Sequence, residues 1–162
     1  MAPQSSVDRV RAALLAAGHA DTIAEFPEGT RSAADAAAAI GCGVAQIAKS
    51  IVFRAITEAG ERVALVIASG VNRVSVAKVE AVLGAKLKRA DGDWVRERTG
   101  FAIGGVAPLA HLSPPLLVFD QDLLALHPVW AAAGSPRHVF STEASALARI
   151  TGAVVADVRE DG

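Results

Sequence analysis

Two runs rich in β-branched residues, "KSIVFRAI" (49–56) and "RVALVIAS" (62–69), stand only five residues apart, joined by "TEAGE". Runs of this composition favour extended strands. A five-residue link carrying a glycine returns the chain as an antiparallel hairpin, because a parallel crossover needs about a dozen residues. A sheet built on a hairpin is not purely parallel. That one feature removes the all-parallel α/β folds and asks for a mixed sheet.

The flanking segments fit that demand. In "RVRAALLAAGHA" and the residues before it, Val7, Val10, Leu14 and Leu15 fall near one helical face, with Asp8, Arg9 and Arg11 elsewhere and Gly18 as a stop. Arginines followed by an apolar stretch also resemble a signal peptide, but the periodicity favours an amphipathic first helix and so a cytoplasmic protein. "DTIAEFP" reads as a short strand ended by Pro27, and Ser32 with Asp35 forms a capping box ahead of a helix closed by Gly41. Ser75 caps a helix through "VAKVEAVLG"; "AKLKRA" reads as a strand and "DGDWVRERTG" as a short helix. Further on, "PLLVFD", "HPVWAAAG", "RHVF" and "AVVADVR" read as strands, "DLLALH" as a helical turn and "STEASALARITG" as a helix. The expected fold is α/β of the α+β type: a mixed, curved, barrel-like β-sheet surrounded by helices, in one domain spanning residues 1–162.

Composition narrows the function. Hydrophobic residues make up 52% and charged residues 20%, which favours a packed globular chain over a disordered one. A formal net charge of -1 provides no global positive field for a long duplex, so DNA is not an expected partner, whereas a grip on one RNA end stays open. No apolar run approaches the roughly 18 to 20 residues of a membrane span. A lone cysteine, Cys42, forms no internal disulfide and suits a reducing compartment.

Several motifs fail on spacing or context. "GVAQIAKS" has Ala48 where a phosphate-binding P-loop needs its second glycine, and it follows a helix rather than a strand. "GCGVAQ" lacks the third glycine of a dinucleotide fingerprint. His19, His111, His127 and His138 show no ligand spacing and Cys42 has no neighbouring ligand, so no metal and no cofactor are expected. Without a G-x-S-x-G elbow, Ser69 is not supported as a nucleophile. Cys42 reads as a small buried hydrophobe.

Two features remain. Lys49 enters an apolar strand, where a lysine either snorkels to solvent or projects into a cleft. "TGFAIGGVAPLAH" (99–111) concentrates three glycines and Pro108 with almost no reactive side chains. It is either a turn needing positive φ angles, or a loop whose N–H groups approach a carbonyl or oxyanion closely.

Here the sequence resembles the YbaK family, relatives of the editing domain inserted in bacterial prolyl-tRNA synthetases. "QIAKSIVFR" is similar to the family's lysine-bearing strand, and "GGVAP" (104–108) to its G-x-x-x-P loop, in the same order along the chain from about Val7 to Val158. The resemblance implies a free-standing enzyme that hydrolyses the ester of mischarged aminoacyl-tRNA, with tRNA for proline foremost. It implies that Lys49 positions the terminal adenosine, while Gly104, Gly105, Val106, Ala107 and Pro108 shape the pocket and stabilise the oxyanion. A water, or the free ribose hydroxyl acting for the substrate, completes the attack, which accounts for the lack of an evident base. Where the amino acid is cysteine, its own thiol is an alternative nucleophile. His111 either lines the site or is a buried structural histidine, and Ser69 and Gly134 are candidate pocket walls. The acceptor end of aminoacyl-tRNA is the expected partner and a prolyl-tRNA synthetase a further one, with no membrane and no DNA. Lys86, Lys88, Arg89, Arg96 and Arg98 form either a local basic surface for RNA or a solvated charged face. The amino acid removed stays open among alanine, serine, threonine, cysteine and similar small residues. Two competing functions are a non-catalytic tRNA- or synthetase-binding module of the same fold and a small-molecule ester or amide hydrolase.

Overall fold

The computed structural model describes residues 5–26 and 32–161. The hairpin forms as the sequence demands. β2 (Ala48–Thr57) and β3 (Gly60–Ser69) pair antiparallel without a break from Ala48 opposite Ser69 to Thr57 opposite Gly60. The turn shrinks to Glu58 and Ala59, with Gly60 at φ 112. The hydroxyl of Thr57 donates to the Gly60 carbonyl at 2.7 Å and ties the turn off.

β3 is the centre of a five-stranded mixed sheet. Its neighbours are β2 on one side and β5 (Leu116–Asp120), parallel to it, on the other. β4 (Lys86–Arg89) closes one edge against β2, and β8 (Val154–Ala156) closes the other, parallel to β5. Buried on both faces, β3 reads as a near-continuous apolar run, the pattern of an interior strand. Leu65 and Ile67 face the larger core with Phe119, Leu123 and Phe140, while Val66 and Ala68 face a smaller one with Val79, Val118 and Val158.

A second sheet holds β1 (Ile23–Glu25), β7 (His138–Thr142) and β6 (Val129–Ser135), all antiparallel. The mixed architecture is the expected one, but the barrel-like closure is not formed. The two sheets share the larger core and are joined by an isolated bridge, Ile47 to Trp130, just before the chain enters β2. The strand end assigned to Pro27 lies outside the described residues.

Five α-helices pack around the sheets among the described residues. α1 (Ser6–Ala16) begins at Ser5, whose hydroxyl accepts from the Asp8 amide. It buries Val10 and Leu14 fully but leaves Leu15 54% exposed, so the apolar stripe is narrower than the sequence pattern suggests. α2 (Ala33–Ile40), α3 (Val76–Leu83) and α4 (Gly92–Thr99) start at the hydroxyl or carboxylate of Ser32, Ser75 and Asp91 respectively. Such caps satisfy amide donors that a helix start leaves free. α5 (Ala144–Thr151) and two short 3₁₀ turns, Val44–Gln46 and Gln121–Ala125, complete the chain.

Candidate active site

The start of β2 is fixed from both sides. In the 3₁₀ turn before it, Gln46 accepts from the Gly43 amide at 2.9 Å and donates to the Pro128 carbonyl at 3.0 Å. Ser69, opposite Ala48, is held by its hydroxyl to the Ala45 carbonyl at 2.7 Å and by its amide to Asp120 at 3.0 Å. Asp120 is itself buried, and its other bonds come from the Asn72 amide group at 2.8 Å and the Asp122 backbone N–H at 2.9 Å. A buried carboxylate with three donors is a rigid anchor.

Just beyond this anchor, a cavity of about 170 Å³ opens between α2, the first residues of β2, β6 and the glycine-rich loop. Lys49 and Ser50 of β2, Gly104 and Val106 of the loop, Trp130 of β6 and Ser32 at the cap of α2 all contribute to its wall. Lys49 and Gly104 are far apart in sequence, and the fold brings them around one space. Ser50, Gly104 and Val106 also border a second compartment of about 200 Å³ lined mainly by Ile51, Val52, Val95 and Ile103.

The loop earns its glycines by position. Gly100 ends α4 at φ 81, and Gly104 sits at φ 95, a left-handed region costly for other residues. Gly105 is needed for space: a Cβ there would lie 2.7 Å from the Cα of Ser135. The Gly105 amide bonds back to Ala102 at 3.0 Å, whereas the N–H groups of Gly104, Val106 and Ala107 find no acceptor among the described residues. Val106 and Ala107 are buried, and buried N–H groups are rarely left unpaired.

Lys49 makes no hydrogen bond or ion pair among the described residues. Burial pushes its pKa below the ordinary lysine value, with the charge of Arg73 acting the same way and that of Asp120 opposing it. Ser50 was not singled out in the sequence, yet its hydroxyl is buried without a partner among the described residues. Its signal was there: strand alternation puts Ser50 on the face of Ala48 and Val52, both packed with the larger core.

The other candidate residues lie elsewhere. Ser69 is buried and committed to the Asp120 anchor rather than to the cavity wall. Gly134 backs onto α1, its carbonyl accepting from the Ser6 hydroxyl at 2.6 Å, and a Cβ there would meet the Ser6 carbonyl at 2.7 Å. Pro108 and His111 line a separate space of about 240 Å³ on the far side of the loop. The Nε2 of His111 donates to the Ala107 carbonyl at 2.6 Å, and burial, reinforced by the charge of Arg9, lowers its pKa. Cys42 packs beside Ala36, Ala37 and Ile47.

Among the candidate basic residues, Lys86, Lys88 and Arg89 stand exposed on β4, the edge of the five-stranded sheet. Arg98 covers the Trp94 ring at 5.1 Å and donates to the Glu61 carbonyl at 3.3 Å. Among the described residues no group of three or more His, Cys, Asp or Glu could hold a metal ion, and no helix is long and apolar enough to cross a membrane.

Comparison with known proteins places these features in company. A family model described as an aminoacyl-tRNA editing domain matches residues 27–150. A solved structure described as "a putative trans-editing enzyme for prolyl tRNA synthetase" superposes with a TM-score of 0.88 at 42% identity, covering 99% of each chain. Another, of "hypothetical protein APE2540", gives 0.83 at 30% identity over 94% of this chain and 99% of that one. The uncharacterized protein YwhH of Bacillus subtilis (strain 168) is 32% identical over 113 residues, 70% of each chain.

Proposed function

Because the chain belongs to the aminoacyl-tRNA editing domain family, we propose that it is a trans-editing aminoacyl-tRNA deacylase, acting on tRNA for proline that carries a small wrong amino acid. The observation that carries this reading is the meeting of Lys49 with Gly104 and Val106 around one small cavity. At about 170 Å³ it falls below the roughly 300–1,000 Å³ of pockets that enclose drug-sized ligands, and so suits a small aminoacyl group. A synthetase distinguishes near-isosteric side chains by only about 1–3 kcal/mol per methylene, so a second, hydrolytic site answers a real chemical need.

In the proposed reaction, water adds to the ester carbonyl carbon. The carbonyl oxygen becomes an oxyanion, and the N–H groups of Gly104 and Val106, which line the cavity and find no acceptor among the described residues, are the candidate donors to it. The bond to the ribose oxygen then breaks. The water's proton ends on that oxygen, passed through the neighbouring ribose hydroxyl, giving free amino acid and uncharged tRNA. Lys49, with no fixed partner among the described residues, supplies a compact positive charge to a phosphate or ribose oxygen of the terminal adenosine. Gly105 and Pro108 act by shaping the loop, and the cationic edge at Lys86, Lys88 and Arg89 serves the acceptor end.

The test is hydrolysis of tRNA for proline charged with alanine, cysteine, serine, threonine or 2-aminobutyrate, with correctly charged prolyl-tRNA as control. Selective release of one wrong amino acid supports the reading and names the substrate. Binding of the tRNA with no release above the buffer rate would favour the non-catalytic module instead.

A further inference from the structure

The glycine-rich loop is gripped from the other end of the chain. Arg9 of α1 places its Nη2 3.3 Å from the Gly100 carbonyl and 3.5 Å from that of Ala110, so one guanidinium addresses both ends of the loop. The same guanidinium stacks 4.8 Å from the centre of the Phe101 ring. That ring meets His111 edge-on, with centroids 5.3 Å apart. His111 in turn holds the Ala107 carbonyl through Nε2, so its proton sits on Nε2 and Nδ1 is a lone pair, buried and without a partner among the described residues.

The neck below is closed by the Leu112 amide on the Thr99 carbonyl at 3.1 Å and the Ser113 amide on the Arg98 carbonyl at 3.2 Å. At the upper end Ala110 is held at φ 67, a conformation that a residue with a Cβ keeps only where its surroundings impose it. Gly100 leaves room for the grip, since a Cβ there would lie 2.5 Å from the Arg9 Nη2.

We propose that Arg9 and His111 are a positioning pair, a brace that holds the Gly100–Ala110 loop in the shape that presents Gly104 and Val106 to the Lys49 cavity. Neither residue lines that cavity. The proposal rests on the deacylase reading only for its effect on turnover; the brace itself is a statement about the loop. An arginine is suited to it because one nitrogen of its planar guanidinium donates to both carbonyls while the plane lies over the Phe101 ring, a stacking that a compact ammonium does not reproduce. Arg9 is the charged group that acts on His111, whose other neighbours in the space behind the loop, Leu117 of β5 and Ile150 and Thr151 of α5, do not titrate.

The experiment compares wild type with Arg9→Met, Arg9→Lys, His111→Gln and His111→Leu by residue-resolved amide hydrogen exchange and by NMR titration of His111, alongside deacylation kinetics. In Arg9→Met the amides of Gly105, Leu112 and Ser113 exchange at least tenfold faster while those of β2 do not, and the His111 midpoint rises. Deacylation kcat falls about tenfold or more with little change in KM, the pattern of a misplaced catalytic loop. Arg9→Lys is intermediate, and His111→Gln, which retains an N–H donor, keeps the protection that His111→Leu loses. Unchanged loop exchange in Arg9→Met, or loosening shared equally by β2 and β3, overturns the brace. If wild type releases no amino acid, the deacylase reading fails while the exchange data still decide the brace.

Discussion

Gly105 lies against Ser135 with no room for a side chain: an added Cβ would sit 2.7 Å from the Ser135 Cα. The loop therefore rests backbone to backbone on the end of β6, and that contact sets its height above the cavity. Gly105→Ala forces the loop away and costs about 3 kcal/mol, at the upper end for overpacking. Gly104→Ala meets only the Pro136 side chain at 3.6 Å, so its cost is the positive φ alone, about 1 kcal/mol. Urea unfolding of the two variants checks the order.

Ser50 tests whether the cavity is built for a ligand. Its hydroxyl is buried and unpaired among the described residues. Ser50→Ala removes a desolvated polar atom with little loss of volume, so the free protein gains up to about 1 kcal/mol. Deacylation nevertheless falls. A variant that is more stable and less active marks a group kept for its ligand, and paired melting and kinetic measurements read both.

Asp120 carries the opposite expectation. Asp120→Ala strands the Ser69 and Asp122 amides and takes one of the two acceptors of the Asn72 side chain, which keeps Asp122, costing about 3 kcal/mol in denaturant unfolding. It also removes the charge that opposes the lowering of the Lys49 pKa, so that pKa drops further. NMR titration of the Lys49 side chain checks the direction.

His111 gives a pH signature. Burial, and after it the Arg9 charge, depresses its folded pKa below the ordinary 6.5. The unfolded chain then binds the proton more readily, so the stability contribution is fully present above about pH 6.5 and is lost as pH falls from there through the folded pKa. His111→Gln flattens that part of the stability profile, as unfolding free energies across the window will show.

Much of this fold is written in local patterns. Ser32, Ser75 and Asp91 each cap the helix they precede, and β2 and β3 pair over their whole length around the runs Ile51–Phe53 and Val63–Ile67, rich in β-branched and aromatic residues. What local pattern does not contain is the identity of the neighbour. Leu14 and Leu15 look alike on α1, and only the packing against β6 buries one and leaves the other in solvent. Ser69 looked like a pocket wall until Asp120, from another strand, claimed its amide. Lys49 and Gly104 stood out because a lysine in an apolar strand and a cluster of glycines are each unusual alone. Arg9 carried no such mark, since its partners Gly100 and Ala110 lie about a hundred positions away.

Ester hydrolysis, as proposed, takes place in the cavity shared by Lys49, Gly104 and Val106. The most direct measurement is the first-order release of a wrong amino acid, alanine first, from tRNA for proline by wild type and by Lys49→Ala at equal concentration, with folding verified by circular dichroism. Wild type is expected to accelerate release clearly over buffer, with little effect on prolyl-tRNA, and Lys49→Ala to lose at least a hundredfold. Equal rates for the two folded proteins would contradict this and move the chemistry out of this cavity.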